Sequence, residues 1–225
     1  MMELLTSPFF GVTLTVAAYL AGVYINRKTK LTILNPLLIS AAIVIAVLMV
    51  FHIEYDAYRT GANIISVLLV PATVCLAVPI YKKRALLKKY WLPVLLGCAA
   101  GAVTCIVCVW LLCGLFGLDA QVTKSILPKS ITTPFGLAVS EAIGGIPSLT
   151  VVCIIITGLF GATCAPWLIK WFRVTDPVAA GLAIGTSSHA LGTAKAIEIG
   201  ETQGAMSGLA ISVAGIVTVV VALFF

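Results

Sequence analysis

The chain has 225 residues, of which 61% are hydrophobic and only 10% are charged. Its mean hydropathy is +1.15. A water-soluble globular protein is excluded, because 14 basic and 8 acidic side chains cannot supply the polar shell that a soluble fold of this size needs. The net charge of +6 fits loops that face an anionic membrane surface and does not indicate nucleic-acid binding. We therefore expect an all-α, polytopic integral membrane protein surrounded by the lipid bilayer.

Four apolar runs in the first half predict membrane spans, since a helix needs about 20 apolar residues to cross a bilayer. They are residues 9–25, 37–51, 61–81 and 91–118. The third run contains Pro71 and Pro79, which remove backbone donors, so this helix is expected to kink or break. A short polar loop at residues 54–59 is expected before it. Basic clusters at residues 27–30 and 82–89 follow the first and third runs, which predicts that this side is cytoplasmic and the N-terminus outside.

The second half is less regular. The stretch 128–134 opens an apolar run, 135–143, that is too short to cross a membrane alone. Residues 149–169 and 204–225 are clean spans, and Asp176-Pro177 begins the segment between them. We expect seven or eight crossings in one domain, residues 1–225, depending on whether 131–146 crosses or re-enters. Interrupted segments in both halves also predict internal repeats, about 31–118 and 128–225, as in secondary transporters.

Three interrupted stretches could form a site, because irregular backbone at membrane depth is tolerated only inside protein or along a cavity. They are residues 71–73, 128–134 and 185–195. The third contains Gly185-Thr186-Ser187-Ser188-His189-Ala190-Leu191-Gly192-Thr193-Ala194-Lys195. Its small residues are also typical of close helix packing. Packing alone does not account for His189, because an ionisable residue within a span is a candidate for function; the alternative is a histidine satisfied by a neighbouring hydroxyl or carbonyl.

Other polar residues leave alternatives open. Lys129, Ser130, Thr132 and Thr133 offer one cation and three hydroxyls, which a small carboxylate needs, although an interfacial loop with an anchoring lysine fits equally well. Lys195 could bind an anion or pair with Glu198 at the membrane surface. Glu141 could carry a proton, pair with Lys129, or be a solvated carboxylate at a helix end. Cys105 and Cys108 have metal-ligand spacing but no neighbouring His or carboxylate, so no metal site is predicted.

The interrupted stretches resemble those of the LrgB/CidB family of bacterial membrane proteins, to which YohK and the C-terminal half of the plastid glycolate/glycerate translocator are also similar. The resemblance rests on Leu69-Val70-Pro71-Ala72-Thr73-Val74, Pro128-Lys129-Ser130-Ile131-Thr132-Thr133-Pro134, Gly144-Gly145-Ile146-Pro147 and the stretch 185–196. It implies a location in the bacterial cytoplasmic (inner) membrane. It also implies two alternative functions: holin- or antiholin-like control of murein hydrolase export and autolysis with a small LrgA/CidA-type partner, or transport of small carboxylates such as glycolate, glycerate or pyruvate.

From the residues we favour a non-enzymatic carboxylate carrier, linked indirectly to cell lysis, because a holin-like pore has no evident use for polar broken segments. The predicted substrate-binding residues are Thr73, Lys129, Ser130, Thr132, Thr133, Ser188, His189, Gly192, Thr193 and Lys195. His189 and Glu141 are the candidates for proton coupling, and imidazole titrates in a suitable range. No cofactor or catalytic residue is predicted. A homo-oligomer is expected, with a dimer as its favoured state.

Overall fold

The structure is a computed structural model, and it describes residues 7–29, 34, 36–68, 71, 74–75, 77–82 and 84–224. In this described part the secondary structure is helical, with no strand, as predicted. The helices are α1 (Pro8–Thr29), α2 (Pro36–Val50), α3 (Tyr55–Ser66), α4 (Ala77–Lys82), α5 (Arg84–Lys89), α6 (Trp91–Leu115), α7 (Ala120–Ile126), α8 (Thr133–Ala142), α9 (Pro147–Trp171), α10 (Pro177–Ile199) and α11 (Glu201–Ala222). The chain forms two compact units, Met1–Ala72 and Thr73–Phe225.

In the first unit, α1 packs against both α2 and α3. The contact with α3 is close because Gly11 and Gly61 face each other, and a Cβ on either glycine would overlap the opposite backbone. Thr15 Oγ1 and Tyr58 Oη add a hydrogen bond of 2.9 Å between the same helices. The predicted polar loop at 54–59 is wrong, because α3 already begins at Tyr55, directly after Glu54. Its polar residues belong to one face of an amphipathic helix.

Four described helices are long and apolar enough to cross a membrane: Pro8–Thr29, Trp91–Leu115, Pro147–Trp171 and Glu201–Ala222. Helix α2 is apolar but has 15 residues. This pattern is that of a multi-pass membrane protein. The third predicted run, 61–81, is not one continuous helix, because α3 ends at Ser66 and α4 begins at Ala77. The expected total of seven or eight crossings stays a prediction, as do the internal repeats.

The second unit is built around α10, which packs against α6, α9 and α11. Small residues allow α10 to pack closely against its neighbours. For example, a Cβ on Gly185 would overlap the Ser207 carbonyl of α11. The adjoining apolar core contains Val94, Cys98 and Leu209. Helix α10 begins where the sequence predicts, because the Asp176 carboxylate accepts hydrogen bonds from Val178 N (2.7 Å) and Ala179 N (3.0 Å).

Candidate functional site

A buried loop, residues 127–132, connects the short helices α7 and α8. Leu127 and Ile131 are each 2% exposed, and Ser130 and Thr132 are also buried. Seven residues in α7 and ten in α8 reach only about 10 and 15 Å at 1.5 Å per residue, against a hydrocarbon core of about 30 Å. Neither helix can cross alone, and the irregular loop between them is enclosed by protein, as such backbone must be within a membrane.

A cluster of three fully buried hydroxyls, Ser125, Ser140 and Thr150, holds both flanks of the buried loop. Thr150 Oγ1 on α9 lies 2.8 Å from the Ser125 carbonyl and 2.7 Å from Ser140 Oγ. Ser125 Oγ donates to the Gln121 carbonyl and accepts from Ile146 N, both at 2.7 Å. These bonds connect α7, α8 and α9, so they fix the position of the loop.

Lys129, in the buried loop, is a half-buried cation without an acidic partner among the described residues. No carboxylate oxygen of the described residues lies within 4.0 Å of its Nζ, since the one ion pair found in that part joins Lys195 and Glu198. Lys129 Nζ instead donates to Ser130 Oγ at 3.3 Å, and Ser130 Oγ lies 3.0 Å from Cys105 Sγ. The half-buried ammonium therefore leaves a positive charge at this site that no acidic side chain of the described residues compensates.

Lys129 lines a cavity of about 430 Å³, here named the Lys129 cavity, which lies within the size range of small-molecule sites. Its walls come from α6, the buried loop, α9 and α10, and are formed by Gly101, Cys105, Lys129, Ser130, Ile156, Thr157, Phe160, Gly161, Cys164, Leu168, Thr186, Ser187 and Ser188. Lys129 is the one charged residue among these described wall residues. The cavity therefore brings together two of the three interrupted stretches that the sequence singles out.

The predicted interruption of α10 is confirmed at His189, whose φ of 42° and ψ of −138° are non-helical. This backbone conformation is one that glycine adopts readily and histidine rarely, so it stores strain. His189 Nε2 donates to the Ile154 carbonyl of α9 at 2.9 Å, because a carbonyl can only accept. Gly158 makes room for the imidazole, since a Cβ there would overlap Cε1 and Nε2. The imidazole is thus turned towards α9, and it is not among the wall residues of the Lys129 cavity.

Hydroxyl groups flank the break on both sides. Ser187 Oγ and Ser188 Oγ lie 3.0 Å apart at the cavity wall, and Ser188 packs closely against Gly161 of α9. After the break, Thr193 Oγ1 lies 2.9 Å from the His189 carbonyl and 2.6 Å from Ser207 Oγ of α11. Thr193 therefore anchors the second half of α10 to α11, which supports the broken geometry rather than lining the cavity.

The remaining predicted site residues are placed elsewhere. Thr132 and Thr133 lie at the start of α8, and Thr132 Oγ1 is a buried hydroxyl without a hydrogen-bond partner in the described structure. Gly192 is buried against its own helix at Ser188 and Ile184. Three other positions are away from the cavity or outside the described part: Lys195 pairs with Glu198 at 2.7 Å, Glu141 is exposed near the end of α8, and Thr73 lies outside the described residues.

Several wall residues were not among the predicted ones. Cys105, Gly161 and Ser187 line the Lys129 cavity, and Gly158 lies behind it against His189. The spacing of Gly158 and Gly161 on α9 is a usable signal, because small residues in a span mark places where another helix approaches. No group of three or more His, Cys, Asp or Glu side chains suited to a metal ion occurs in the described part of the chain.

The model of the LrgB-like family matches residues 15–225. The chain belongs to the LrgB family. Among curated relatives, it is 39% identical over 221 residues to the antiholin-like protein LrgB of Bacillus subtilis (strain 168), covering 98% of this chain and 96% of that protein. It is 38% identical over 216 residues to the antiholin-like protein LrgB of Bacillus mycoides (strain KBAB4), covering 96% and 94%. No solved structure matches this LrgB family member.

Proposed function

We propose that this chain is an antiholin-like membrane protein that restrains export of murein hydrolases and cell lysis, acting with a small LrgA-type membrane partner. The observation that carries this proposal is the match to curated antiholin-like LrgB proteins over nearly the full length of both chains. The names of these relatives favour this function over the carboxylate carrier that the residues alone suggest.

Complementation tests the antiholin-like function. The chain is expressed in a Bacillus subtilis strain from which its own LrgB protein has been deleted, with and without the LrgA-type partner. We expect slower autolysis and less extracellular murein hydrolase activity on zymograms than in the deletion strain. An unchanged lysis rate at verified membrane expression would refute the proposal.

We also propose a molecular activity for the same protein, the binding and passage of a small carboxylate through the Lys129 cavity. The observation that favours it is Lys129 itself, a half-buried cation with no acidic partner among the described residues and with Ser130, Ser187 and Ser188 in the same cavity. A carboxylate would form charge-assisted hydrogen bonds with these groups. A monoanion would also compensate the lysine charge.

Two discontinuous elements support alternating access as the mechanism. The buried loop between α7 and α8 and the break at His189 both place irregular backbone next to the cavity. Transporters use such interrupted helices at their binding sites. In this mechanism the short α7 and α8 form a re-entrant hairpin, and His189 carries a coupled proton; its imidazole is bonded to the Ile154 carbonyl and does not line the cavity, so the predicted contact of His189 with substrate is not part of the proposal. The same proposal includes a homo-oligomer, with a dimer as its favoured state, an N-terminus outside the cell and a location in the inner membrane.

Uptake into proteoliposomes tests the carrier activity. Purified protein is reconstituted, and the initial uptake of labelled glycolate, glycerate and pyruvate is measured against protein-free liposomes. We expect saturable uptake of at least one of these acids without leakage of an encapsulated dye. Leakage without saturable uptake would indicate a pore and would refute carrier transport.

A further inference from the structure

The Lys129 cavity has a polar side and an apolar side. The polar side comes from the buried loop and α10, with Lys129, Ser130, Ser187 and Ser188. The apolar side comes from α9, which contributes four wall residues spaced four apart, here named the α9 stripe: Ile156, Phe160, Cys164 and Leu168. Residues four apart share one face of a helix, and a free cysteine packs as a small apolar residue. The α9 stripe is therefore one continuous apolar surface.

The α9 stripe reaches the rim of the cavity. Ile156 and Phe160 line the cavity although they are 60% and 70% exposed. The neighbouring row of α9, with Thr157 and Gly161, lies nearer α10, because a Cβ on Gly161 would overlap Ser188. The cavity therefore opens past Ile156 and Phe160 along the outer face of α9. Both residues lie near the middle of a helix long enough to cross a membrane, so this rim faces the hydrocarbon core.

The cavity is larger than a short acid requires. Its volume is about 430 Å³. A two-carbon hydroxy acid has about five non-hydrogen atoms and occupies roughly 150 Å³, if each atom takes about the 30 Å³ of a water molecule in the liquid. Such an acid at Lys129 leaves the α9 stripe uncovered. An apolar group that covers this stripe gains free energy, because apolar surface is removed from water.

We propose that the Lys129 cavity binds monocarboxylates with an unbranched alkyl tail, the class of short- and medium-chain fatty acids, with the tail along the α9 stripe. The proposal rests on the proposed anion site at Lys129 and names the class of carboxylate that this site takes. The carboxylate forms charge-assisted hydrogen bonds with Lys129 Nζ and the serine hydroxyls. The tail covers Ile156 and Phe160. A hydroxyl group at the end of the tail weakens binding, because no strong hydrogen-bond partner lies on the α9 stripe.

The first test measures Kd by isothermal titration of acetate, butyrate and hexanoate, all ionised at neutral pH, into detergent-purified protein. Burial of one methylene strengthens binding about fourfold, so we expect Kd to fall roughly tenfold or more from acetate to butyrate and again to hexanoate. The same-length 6-hydroxyhexanoate should bind more weakly than hexanoate. Equal Kd values for the three acids would overturn the proposal and leave the anion site standing, whereas no binding by any acid would overturn both.

Two substitutions assign the two ends of the ligand. Phe160→Ala should raise the Kd of hexanoate at least about fivefold more than that of acetate, because it removes apolar contact at the tail. Lys129→Gln should raise the Kd of both acids. Val152→Ala is the matched control, since Val152 is 51% exposed on α9 but is not among the described wall residues. A hexanoate Kd that Phe160→Ala leaves unchanged, or that Val152→Ala raises equally, would overturn the placement of the tail.

Labelling of Cys164 locates the tail independently of affinity. One variant keeps Cys164 and another keeps Cys153, and serine replaces the remaining six cysteines in each. Both thiols are half-buried on α9, but Cys164 lines the cavity and Cys153 is not among its described wall residues. Bound hexanoate should slow labelling of Cys164 by a methanethiosulfonate in proportion to its occupancy, and acetate at the same occupancy should slow it less. Unchanged labelling of Cys164 at saturating hexanoate, or equal protection of both cysteines, would refute the proposal.

Discussion

Neutralising Lys129 is the sharpest test of the anion site. Lys129→Gln keeps a side chain of similar length that can still donate a hydrogen bond to Ser130 Oγ, which lies 3.3 Å from Nζ in the wild type. It removes the one charge among the described residues that line the Lys129 cavity. The substitution therefore changes the electrostatics of the cavity with little change in its volume.

The expected loss of affinity follows from the bond that is removed. A hydrogen bond to a charged group contributes roughly 1.5–3 kcal/mol net, and each 1.4 kcal/mol is a factor of ten in Kd, so Kd should rise roughly 10- to 150-fold. Coulomb's law gives about 4 kcal/mol for two unit charges about 4 Å apart at an effective dielectric constant of about 20. Solvent in an open cavity screens part of this energy, so the hydrogen-bond figure sets the expected range.

Isothermal titration of glycolate or pyruvate into detergent-purified protein measures the effect. Lys124→Gln is the matched control, because Lys124 lies on α7 close in sequence to Lys129 but does not line the Lys129 cavity. It should keep the wild-type Kd, and Lys129→Arg should retain most of the affinity. Equal Kd values for the wild type and Lys129→Gln would show that the anion binds elsewhere, and would remove Lys129 from the site.

Three further predictions concern the framework of the site and are measured as the free energy of unfolding in detergent. Thr150→Val should lower the free energy of unfolding by roughly 1–3 kcal/mol, because its buried partners lose their hydrogen bonds. Thr163→Val is the control and should not lower it, because the Thr163 hydroxyl bonds only within its own helix. Equal effects of the two substitutions would contradict the prediction. His189→Gly should be more stable than His189→Ala by about 1 kcal/mol, since glycine tolerates a φ of 42°; the reverse order would indicate an ordinary helix. Gly158→Ala should lower the free energy of unfolding by roughly 1–3 kcal/mol, because the added methyl group overlaps His189. Gly114→Ala is the control and should not destabilise the protein, because the position faces open space. A neutral Gly158→Ala would refute the close contact with His189.

Hydropathy predicts the long helices well, because a lipid-facing span must be apolar along its whole length. The runs 9–25, 91–118 and 149–169 correspond to α1, α6 and α9. Proline and aspartate at helix starts also locate α10. The same criterion misses short polar helices. Helix α3 is amphipathic, so it is not apolar along its whole length. Helix α7 begins at a local signal that a search for apolar runs ignores, since Asp119 Oδ2 accepts a hydrogen bond from Gln121 N at 2.9 Å.

The candidate site is predicted in parts but not as a whole. Clustered polarity in an apolar chain identifies Lys129 and the break at His189, because both are costly to bury without a reason. The meeting of Lys129 with Ser187 and Ser188 depends on how α9 and α10 pack, and Gly158 and Gly161 allow that packing because a Cβ on either would overlap α10. Such contacts join residues far apart in the chain, so local pattern cannot supply them. His189 shows the same limit: its place in a broken helix follows from sequence, but its bond to the Ile154 carbonyl does not.

The proposed antiholin-like function and the proposed anion site can be one activity or two, and Lys129→Gln separates these cases in cells. If lysis control acts through the cellular level of a small carboxylate, the variant should lose both uptake and the restraint of autolysis, while Lys124→Gln keeps both. The physical reason is that removing one cavity charge alters neither the apolar helix surfaces that face lipid nor those available to an LrgA-type partner. Full restraint of lysis by a Lys129→Gln protein that no longer takes up carboxylates would show that the antiholin-like activity does not use the cavity. The antiholin-like activity would then have to be sought in partner contacts on the exposed helix faces.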